Sequence, residues 1–295
     1  MTTLPAAPAR TQHDRCPVCD AGERDSYVAF AELEFARCRR CSVIYKAWEV
    51  PDLRPADLYE ASYYSPSKRS RRDRRFEHRV HKAQKQIATA LELAGGTKVA
   101  SVLDVGCSTG FVMEAGQRLG LAAAGMDVSR YAIEQCTARG YRAAVGTLEG
   151  MPWRDGEFDL VLMKHVLEHT ATPRVALAEV RRVTRPGALL VVAVPDARYW
   201  KGLYRRRAYR YFRPDDLGRQ HEVYYTDVTL ARLLGDCGFT VVARSKAVFR
   251  GSVARRSPVH AVVEGLRYAA LWVGVRVATA VLMRRELFFV ARREE

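Results

Sequence analysis

The chain has 295 residues, of which 48% are hydrophobic and 27% charged, and its mean hydropathy is -0.21. These values exclude a largely disordered chain and allow one large domain, or a medium domain with appendages. The formal net charge of +15 indicates an anionic partner, namely phosphate, nucleic acid or an acidic membrane face, unless the charge serves solubility alone.

The first 15 residues are rich in Ala, Pro and Thr and contain no apolar segment. We therefore expect a disordered N-terminus over residues 1–15, no secretory signal and a cytoplasmic protein. Because the cytoplasm is reducing, the seven cysteines are expected to be thiols or metal ligands rather than disulfides.

Two C-x2-C pairs lie within residues 16–50, with 18 residues between them. The four cysteines are Cys16, Cys19, Cys38 and Cys41. Each pair can direct two thiolates at one ion, and four thiolates complete the tetrahedral coordination of Zn²⁺. A segment this short has too little apolar mass to fold alone, and four thiolates leave no open position for catalysis. We therefore predict a small N-terminal zinc ribbon with a structural Zn²⁺; the alternative is a chance arrangement of free cysteines.

Residues 51–95 begin with Pro and Tyr and then become basic and helical, so we predict a basic helical linker or cap. Nine basic and two acidic residues lie between Lys68 and Lys85. Such a stretch either binds an anionic partner or forms a solvated charged face of the helix.

Residues 96–295 alternate between strand-like and helix-like runs. The predicted strands are Val99–Val105, Ala122–Val128, Arg142–Val145, Phe158–Met163, Ala188–Val194, Thr240–Phe249 and Glu286–Ala291. The predicted helices are Gly110–Leu119, Ser129–Arg139, Pro173–Val183 and Thr226–Cys237. Strands joined by helical crossovers predict an α/β domain with a parallel sheet that is covered on both faces.

A glycine turn follows the first of these strands. The apolar run ends abruptly in Gly-Cys-Ser-Thr-Gly, and a helix begins at once. A strand, a tight turn and a helix N-terminus suit a nucleotide-like ligand, and the carboxylate of Asp104 adds an acceptor. Gly106 lets the backbone approach a ligand closely. The turn lacks the third glycine of a dinucleotide fingerprint, which disfavours an NAD-type site.

Asp127 ends the second strand of this domain. A carboxylate accepts two hydrogen bonds at once, so Asp127 adds a second acceptor at the end of a strand. The alternative is an N-cap of the following helix, a role that Asp127 or Ser129 could fill.

His165-x-x-Glu168-His169 follows the fourth strand, at the edge where open α/β sheets bind ligands. The same spacing is the inverted zincin pattern. We reject the inverted-zincin interpretation because that pattern belongs in a helix, whereas this one directly follows a buried strand. His169 is a candidate general base, since imidazole can take a hydroxyl proton near neutral pH; the alternative is that it only orients the loop.

The glycine turn, Asp127 and the cysteine pairs together resemble a class I S-adenosylmethionine-dependent methyltransferase. The sequence is most similar to the bacterial branch with an N-terminal zinc ribbon, many of whose members are linked to sugar, polysaccharide or secondary-metabolite modification. The resemblance covers about residues 16–250 and the last strand. It implies a methyltransferase domain over residues 96–295, with a Rossmann-like seven-stranded, mostly parallel sheet and an antiparallel last strand.

This resemblance implies where the cofactor lies. The methionyl part of S-adenosylmethionine would lie over Asp104, Gly106 and Gly110, which match the family's D-x-G-x-x-x-G turn. Asp127 matches the acidic residue that binds both ribose hydroxyls.

Residues 146–149 match the segment that meets the adenine ring. Thr147 stands where many relatives have an acid and would accept from the adenine amino group without a charge; the alternative is that Glu149 takes that role after a small register shift. The residues expected to bind the cofactor are Asp104, Gly106, Cys107, Gly110, Asp127, Val128, Thr147, Leu148 and Lys164.

On the acceptor side, the candidate general base is His169, followed by His165 and His221. Residues 198–225 match the place of an acceptor-binding insertion, and residues 198–213 contain seven basic residues, six aromatic residues and no acid. Arginine forks bind phosphate, and tyrosine rings stack on a sugar or a base.

Residues 253–285 predict an amphipathic helical insertion. Three charges interrupt its apolar runs, which argues against a membrane-spanning helix. Such a helix suits peripheral contact with a membrane surface or a partner, or packs on its own domain.

The leading functional hypothesis is O-methylation of a sugar, a glycan or a related anionic or lipid-linked phosphorylated acceptor. The first alternative is an RNA methyltransferase, because a zinc ribbon and a basic aromatic surface also suit nucleic acid. The second alternative is a non-enzymatic cofactor-binding scaffold, held at the inner face of the membrane by residues 253–285.

Overall fold

The computed structural model describes residues 11–29, 33–49, 69–197, 221–245 and 286–295. Its strands are β1 (Thr11–Gln12), β2 (Arg24–Ala29), β3 (Leu33–Cys38), β4 (Ile44–Glu49), β5 (Ser101–Val105), β6 (Ala122–Asp127), β7 (Arg142–Val145), β8 (Phe158–Lys164), β9 (Thr184–Pro195), β10 (Val223–Tyr224), β11 (Phe239–Ser245) and β12 (Glu286–Arg293). Its helices are α1 (Arg69–Leu93), α2 (Phe111–Arg118), α3 (Arg130–Thr137), α4 (Pro173–Val183) and α5 (Asp227–Asp236), with a 3-10 turn at Leu167–His169.

Seven strands form the larger sheet, in the order β11-β12-β9-β8-β5-β6-β7. The five neighbours from β9 to β7 pair in parallel, whereas β12 pairs antiparallel with both β9 and β11. Among the described strands of this sheet, β12 therefore runs against the others. This is the Rossmann-like architecture with an antiparallel last strand, and the predicted fold class is confirmed.

Helices cover both faces of this sheet. Successive side chains of a strand point to opposite faces, so the apolar strands feed two separate layers. Leu103 and Val161 pack in the layer that contains α4 and α5. Val102 and Leu162 pack in the opposite layer, which contains α1 and α2. The carboxyl ends of the parallel strands remain at one open edge between these layers.

The predicted helices differ from the observed ones mainly at their ends. Helix α4 has the predicted bounds, Pro173–Val183, with its proline in the first turn. Ser129 and Thr226 were predicted as the first helical residues, but both are N-caps whose side chains accept a backbone N–H. Strand β11 ends at Ser245, and the rest of its predicted length lies outside the described residues.

The smaller sheet is antiparallel, with the order β1-β4-β3-β2, and β10 also pairs with β4. We predicted disorder for residues 1–15, and this prediction is wrong for Thr11–Gln12, which pair with β4. Strand β10 was not predicted and joins the N-terminal sheet to the chain between β9 and α5. Beside it, the Nζ atom of Lys46, only 2% exposed, donates to Glu222 at 2.7 Å and lies 3.0 Å from Glu49.

Helix α1 contains most of the basic stretch from Lys68 to Lys85, and it packs on the larger sheet through an apolar face. Val80 and Ile87 are fully buried in the layer that also contains Val112 of α2. The predicted acceptor-binding insertion at residues 198–225 is described only from His221 onward, where it contains β10, and the predicted insertion at 253–285 lies outside the described residues. No helix in the described part of the chain is long and apolar enough to cross a membrane.

Candidate active site

The glycine turn between β5 and α2 folds back onto β6. The backbone N–H groups of Gly106 and Cys107 both donate to the carbonyl oxygen of Met126, at 2.8 and 2.9 Å. Gly106 and Gly110 have φ angles of +74° and +91°, a region that L side chains rarely adopt. A Cβ atom on Gly106 would lie 2.5 Å from Cγ2 of Val166. Gly106 therefore serves the packing of the neighbouring loop as well as any ligand.

Asp104 lies on β5 at the start of this turn and is 4% exposed. Its Oδ2 atom has no hydrogen-bond partner among the described residues. Burial, reinforced by the nearby charge of Asp127, raises the pKa of Asp104 well above its usual range. A buried acceptor without a partner is a group that a donating or cationic ligand would satisfy.

Asp127 ends β6, beside the same turn. Its Oδ1 atom accepts from the N–H of Ser129 and its Oδ2 atom from the N–H of Ser108, both at 2.9 Å. Burial raises the pKa of Asp127, although these backbone donors partly oppose the shift. Ser129, rather than Asp127, caps α3, since its Oγ accepts from Ala132 at 3.2 Å. Each carboxylate oxygen keeps a second lone pair for a ligand hydroxyl.

The predicted adenine segment follows β7. The N–H of Gly146 donates to the carbonyl of Asp127 at 3.1 Å, which holds the segment beside the end of β6. Thr147 is exposed, and Leu148 is half-buried. Glu149 accepts from the hydroxyl of Thr170 at 2.6 Å and from that of Thr172 at 2.9 Å. Glu149 is thus anchored to the loop after β8, which does not favour the register shift that would bring it to adenine.

Two further predicted cofactor residues, Cys107 and Val128, lie next to the turn and at the end of β6. Cys107 is fully buried, and Val128 is half-buried. Gly125 on β6 has to lack a side chain, because a Cβ there would lie 2.8 Å from the Cβ of Cys107.

The loop after β8 begins with Lys164 and His165. Lys164 lies 3.5 Å from Oε1 of Glu286, and burial lowers the pKa of Lys164. His165 has a φ of +53°, and its ring lies 3.1 Å from Glu286 and 3.4 Å from Glu168. Burial lowers the pKa of His165, but the two carboxylates outweigh it and raise the pKa to about 9. A protonated imidazole cannot accept a proton, so this geometry argues against His165 as general base.

His169 and His221 come together at the same edge of the sheet. Their ring centroids are 4.8 Å apart with the rings at 76°. The N–H of Glu222 donates to the carbonyl of Glu168 at 2.7 Å, which ties the two segments. Burial, followed by the nearby His169, lowers the pKa of His221 to about 4, so His221 is neutral but weakly basic. His169 is therefore the remaining candidate among the three predicted bases.

Sequence analysis missed the position of Glu168 in this group. One ligand atom each from Glu168, His169 and His221 lie within 4.8 Å of one another. The part of the motif from Leu167 to His169 forms a 3-10 turn instead of an α-helix. The third member comes from a residue more than fifty positions later, which no local pattern indicates.

The four N-terminal cysteines form a separate cluster. The Sγ atoms of Cys16 and Cys41 are 3.5 Å apart, as are those of Cys19 and Cys38. The four Sγ atoms lie within 4.8 Å of one another, and all four residues are free thiols.

The two cysteine turns also have the same backbone geometry. The N–H of Asp20 donates to the carbonyl oxygen of Cys16, and the N–H of Ser42 donates to the carbonyl oxygen of Cys38, each at 2.9 Å. Asp20 and Ser42 both have φ near +60°, at 58° and 63°. Two matched turns that face each other with their thiols fit a tetrahedral metal ion.

Residues 103–192 match the methyltransferase domain family, a span that runs from β5 into β9. Over this segment the chain is similar to methyltransferases. The match includes the glycine turn, Asp127 and the loop after β8, and it supports S-adenosylmethionine as the methyl donor.

Similar proteins match the methyltransferase domain over part of their length. A protein encoded in a transposon of Streptomyces fradiae is 33% identical over 179 residues, which are 52% of this chain and 48% of that protein. The ubiquinone biosynthesis O-methyltransferase of Maricaulis maris is 33% identical over 100 residues, which are 31% of this chain and 39% of that enzyme. A crystal structure of a SAM-dependent methyltransferase from Methanosarcina mazei is 18% identical with a TM-score of 0.48, covering 67% of this chain and 94% of that chain. The chain spans about half the length of the first of these relatives.

The residues at the open edge of the methyltransferase domain fit this donor. Its methionyl part carries a cationic sulfonium and an amino group, and Asp104 offers a buried acceptor without a partner. Its ribose carries two hydroxyl donors, and Asp127 retains two lone pairs. The fit rests on these two carboxylates and on the glycine turn between them.

We expect Gly106→Ala to destabilise the methyltransferase domain and the cofactor site. The left-handed backbone costs about 1–2 kcal/mol for alanine, and the clash with Val166 adds about 1–3 kcal/mol. The matched control is Gly120→Ala, because Gly120 has a φ of +76° but open space around its Cβ position. Thermal unfolding should show the larger loss for Gly106→Ala, and calorimetry should show weaker cofactor binding for that variant. Equal losses in the two variants would show that the contact with Val166 is unimportant.

Proposed function

We propose that this protein transfers the methyl group of S-adenosylmethionine to an oxygen atom of a sugar-like, phosphorylated acceptor. The observation that carries the proposal is the pair of buried carboxylates, Asp104 and Asp127, on adjacent parallel strands of a methyltransferase domain. The pair fits the donor, and the acceptor would bind beside it, at the carboxyl ends of the parallel strands.

The residues of this chain would align the reactants rather than activate the donor. The sulfonium supplies an already activated methyl group. Asp127 would hold the ribose hydroxyls, and Asp104 would face the methionyl part. His169, in the turn after β8, would take the proton of the acceptor hydroxyl as the oxygen attacks the methyl carbon. The carbon–sulfur bond breaks, and its electron pair remains on sulfur.

Support for an oxygen acceptor comes from the neighbouring imidazoles and from one relative. A hydroxyl must lose its proton on methylation, and His169 and His221 lie together at the edge where the acceptor would bind. The relative named as a ubiquinone biosynthesis O-methyltransferase matches about a third of the chain. The net charge of +15 and the arginine-rich and tyrosine-rich residues 198–213 favour an acceptor with phosphate.

We further propose that the four-cysteine cluster holds one structural Zn²⁺. The support is the pairwise Sγ separation of 3.5 Å and the matched turns around Cys16 and Cys38. Four cysteine ligands leave no open position, so this ion would stabilise the small sheet and take no part in methyl transfer.

RNA is the second candidate acceptor. The observation that favours it is the combination of a cysteine cluster with a strongly basic chain. Binding of RNA through phosphates would weaken steeply between 50 and 200 mM salt, by about 10³-fold or more for six contacts.

A radiolabel assay tests the proposal. The full chain is incubated with S-adenosylmethionine that is tritiated on its methyl group and with sugar phosphates, lipid-linked glycans or RNA. We expect label on a phosphorylated sugar acceptor and a loss of kcat of about 10²–10⁴-fold in His169→Gln with little change in KM for the donor. His81→Gln, an exposed histidine on α1, is the matched control and should retain activity.

Each other outcome of this assay contradicts the proposal. Label on RNA alone would identify the second candidate instead. Donor binding by calorimetry without transfer to any acceptor would favour the non-enzymatic scaffold. Full activity of His169→Gln would remove that residue from the proton transfer.

A further inference from the structure

We propose that Glu168, His169 and His221 form a second metal site, which binds one Zn²⁺ at the acceptor side of the methyltransferase domain. This site is separate from the four-cysteine cluster. The site itself does not depend on methyl transfer, whereas its role, which is to present an acceptor hydroxyl, rests on the proposed function.

The first argument is geometric. One ligand atom from each of the three side chains lies within 4.8 Å of the others. The rings of His169 and His221 meet edge to face with their centroids 4.8 Å apart. Zinc bonds of about 2.0–2.2 Å require ligand atoms somewhat closer than this, a distance that small side-chain rotations can close.

The second argument is the state of Glu168. Its side chain is 2% exposed, neither carboxylate oxygen makes a hydrogen bond of good geometry with a described residue, and the only charged partner among the described residues is the ring of His165, 3.4 Å from Oε1. A buried carboxylate without hydrogen bonds is costly, and a bound cation would offset that cost. His165 lies 3.4 Å from one oxygen but also lies 3.1 Å from Glu286, so it keeps a carboxylate partner when an ion takes Glu168.

The third argument is that the backbone holds the ligands from two distant segments. The N–H of Glu222 donates to the carbonyl of Glu168 at 2.7 Å, directly beside both histidines. The hydroxyl of Tyr225 is 3.4 Å from the carbonyl of Leu167 and donates to it. Pairing of β10 with β4 fixes the later segment against the N-terminal sheet. The ligands are therefore positioned before any ion binds, which lowers the entropic cost of binding.

The chemical types of the three ligands indicate the class of metal. Two imidazoles and one carboxylate are the protein ligands of a catalytic zinc site with an open position, whereas Mg²⁺ and Ca²⁺ prefer oxygen ligands alone. The open position would take water or a hydroxyl group of the acceptor, whose pKa the ion would lower. With the ion bound, His169 is a ligand and no longer the base, and the proton of the hydroxyl would pass to solvent; His169 is the base only in the metal-free protein.

The test counts zinc ions in the full chain. After equilibrium dialysis against micromolar free Zn²⁺, elemental analysis should give two zinc ions per unmodified chain. Glu168→Gln and His221→Gln should each retain one ion, held by the cysteines, and lose the other with at least about a tenfold drop in affinity. His81→Gln, which changes an exposed histidine, should retain two.

The outcomes separate this site from the proposed function. One zinc ion in the unmodified chain, or two in both ligand variants, would overturn the second site whether or not methyl transfer occurs. Circular dichroism and the retained cysteine-bound ion show that each variant is folded. If the Glu168→Gln variant is unfolded, the zinc content of the His221→Gln variant decides the result, because His221 is only half-buried.

Discussion

Asp127→Ala is expected to reduce the affinity for S-adenosylmethionine by about 10²–10³-fold or more. The substitution removes the carboxylate that would accept both ribose hydroxyls, and hydrogen bonds to a charged group each contribute about 1.5–3 kcal/mol. It also deprives Ser108 and Ser129 of the acceptor for their backbone N–H groups, which loosens the glycine turn. Isothermal titration calorimetry with the donor measures the loss.

Two further variants separate binding from folding. Asp127→Asn keeps one acceptor oxygen but turns an amino group toward a backbone N–H, so its affinity should be intermediate or lower. Asp155→Ala is the control, because the Asp155 side chain is 81% exposed and pairs with Arg182 of α4. Unchanged donor affinity in a folded Asp127→Ala protein would refute the ribose assignment.

Cys38→Ser is expected to lower the zinc content by one ion per chain and to unfold the N-terminal sheet. Cys38 is 1% exposed, and its Sγ atom is 3.5 Å from that of Cys19. Structural zinc contributes about 10–16 kcal/mol in small zinc-binding peptides, which equals the whole stability of many domains. The loss of zinc should also detach β10 from the N-terminal sheet, because β10 pairs with β4 of that sheet.

Hydrogen exchange and elemental analysis check this expectation. Residues 11–49 and Val223–Tyr224 should lose protection, whereas the central strands β5 and β8 should keep it. Cys237→Ser is the matched control, since Cys237 is half-buried at the end of α5 and lies outside the cluster. Unchanged zinc content together with unchanged exchange in Cys38→Ser would exclude a structural zinc ion at this position.

Local signals in the sequence predicted the elements well. The proline at the start of α4 and the apolar spacing behind it gave the observed bounds Pro173–Val183. Ser129 and Thr226 marked the two helix starts to within one residue, because a capping hydroxyl satisfies an N–H of the first turn. Such signals depend on a few adjacent residues, so they can be interpreted without knowledge of the fold.

The sequence also predicted which polar residues would meet at the cofactor edge. Asp104 and Asp127 lie at the ends of runs that alternate with helices, and the carboxyl ends of parallel strands share one edge of a sheet. The reason offered for Gly106 was incomplete, because the group nearest to an added Cβ is Val166 of this chain. A contact between residues sixty positions apart has no local signature.

The sequence by itself therefore determined the fold class, the glycine turn with its two carboxylates and the four-cysteine motif. Only the tertiary structure decided that β10 joins the N-terminal sheet, that Lys46 is buried between two carboxylates, and that His221 lies beside Glu168 and His169. The physical reason is the range of the interactions. Turns, caps and strand periodicity arise between neighbours in the chain, whereas a cluster from segments far apart exists only once the sheets have packed.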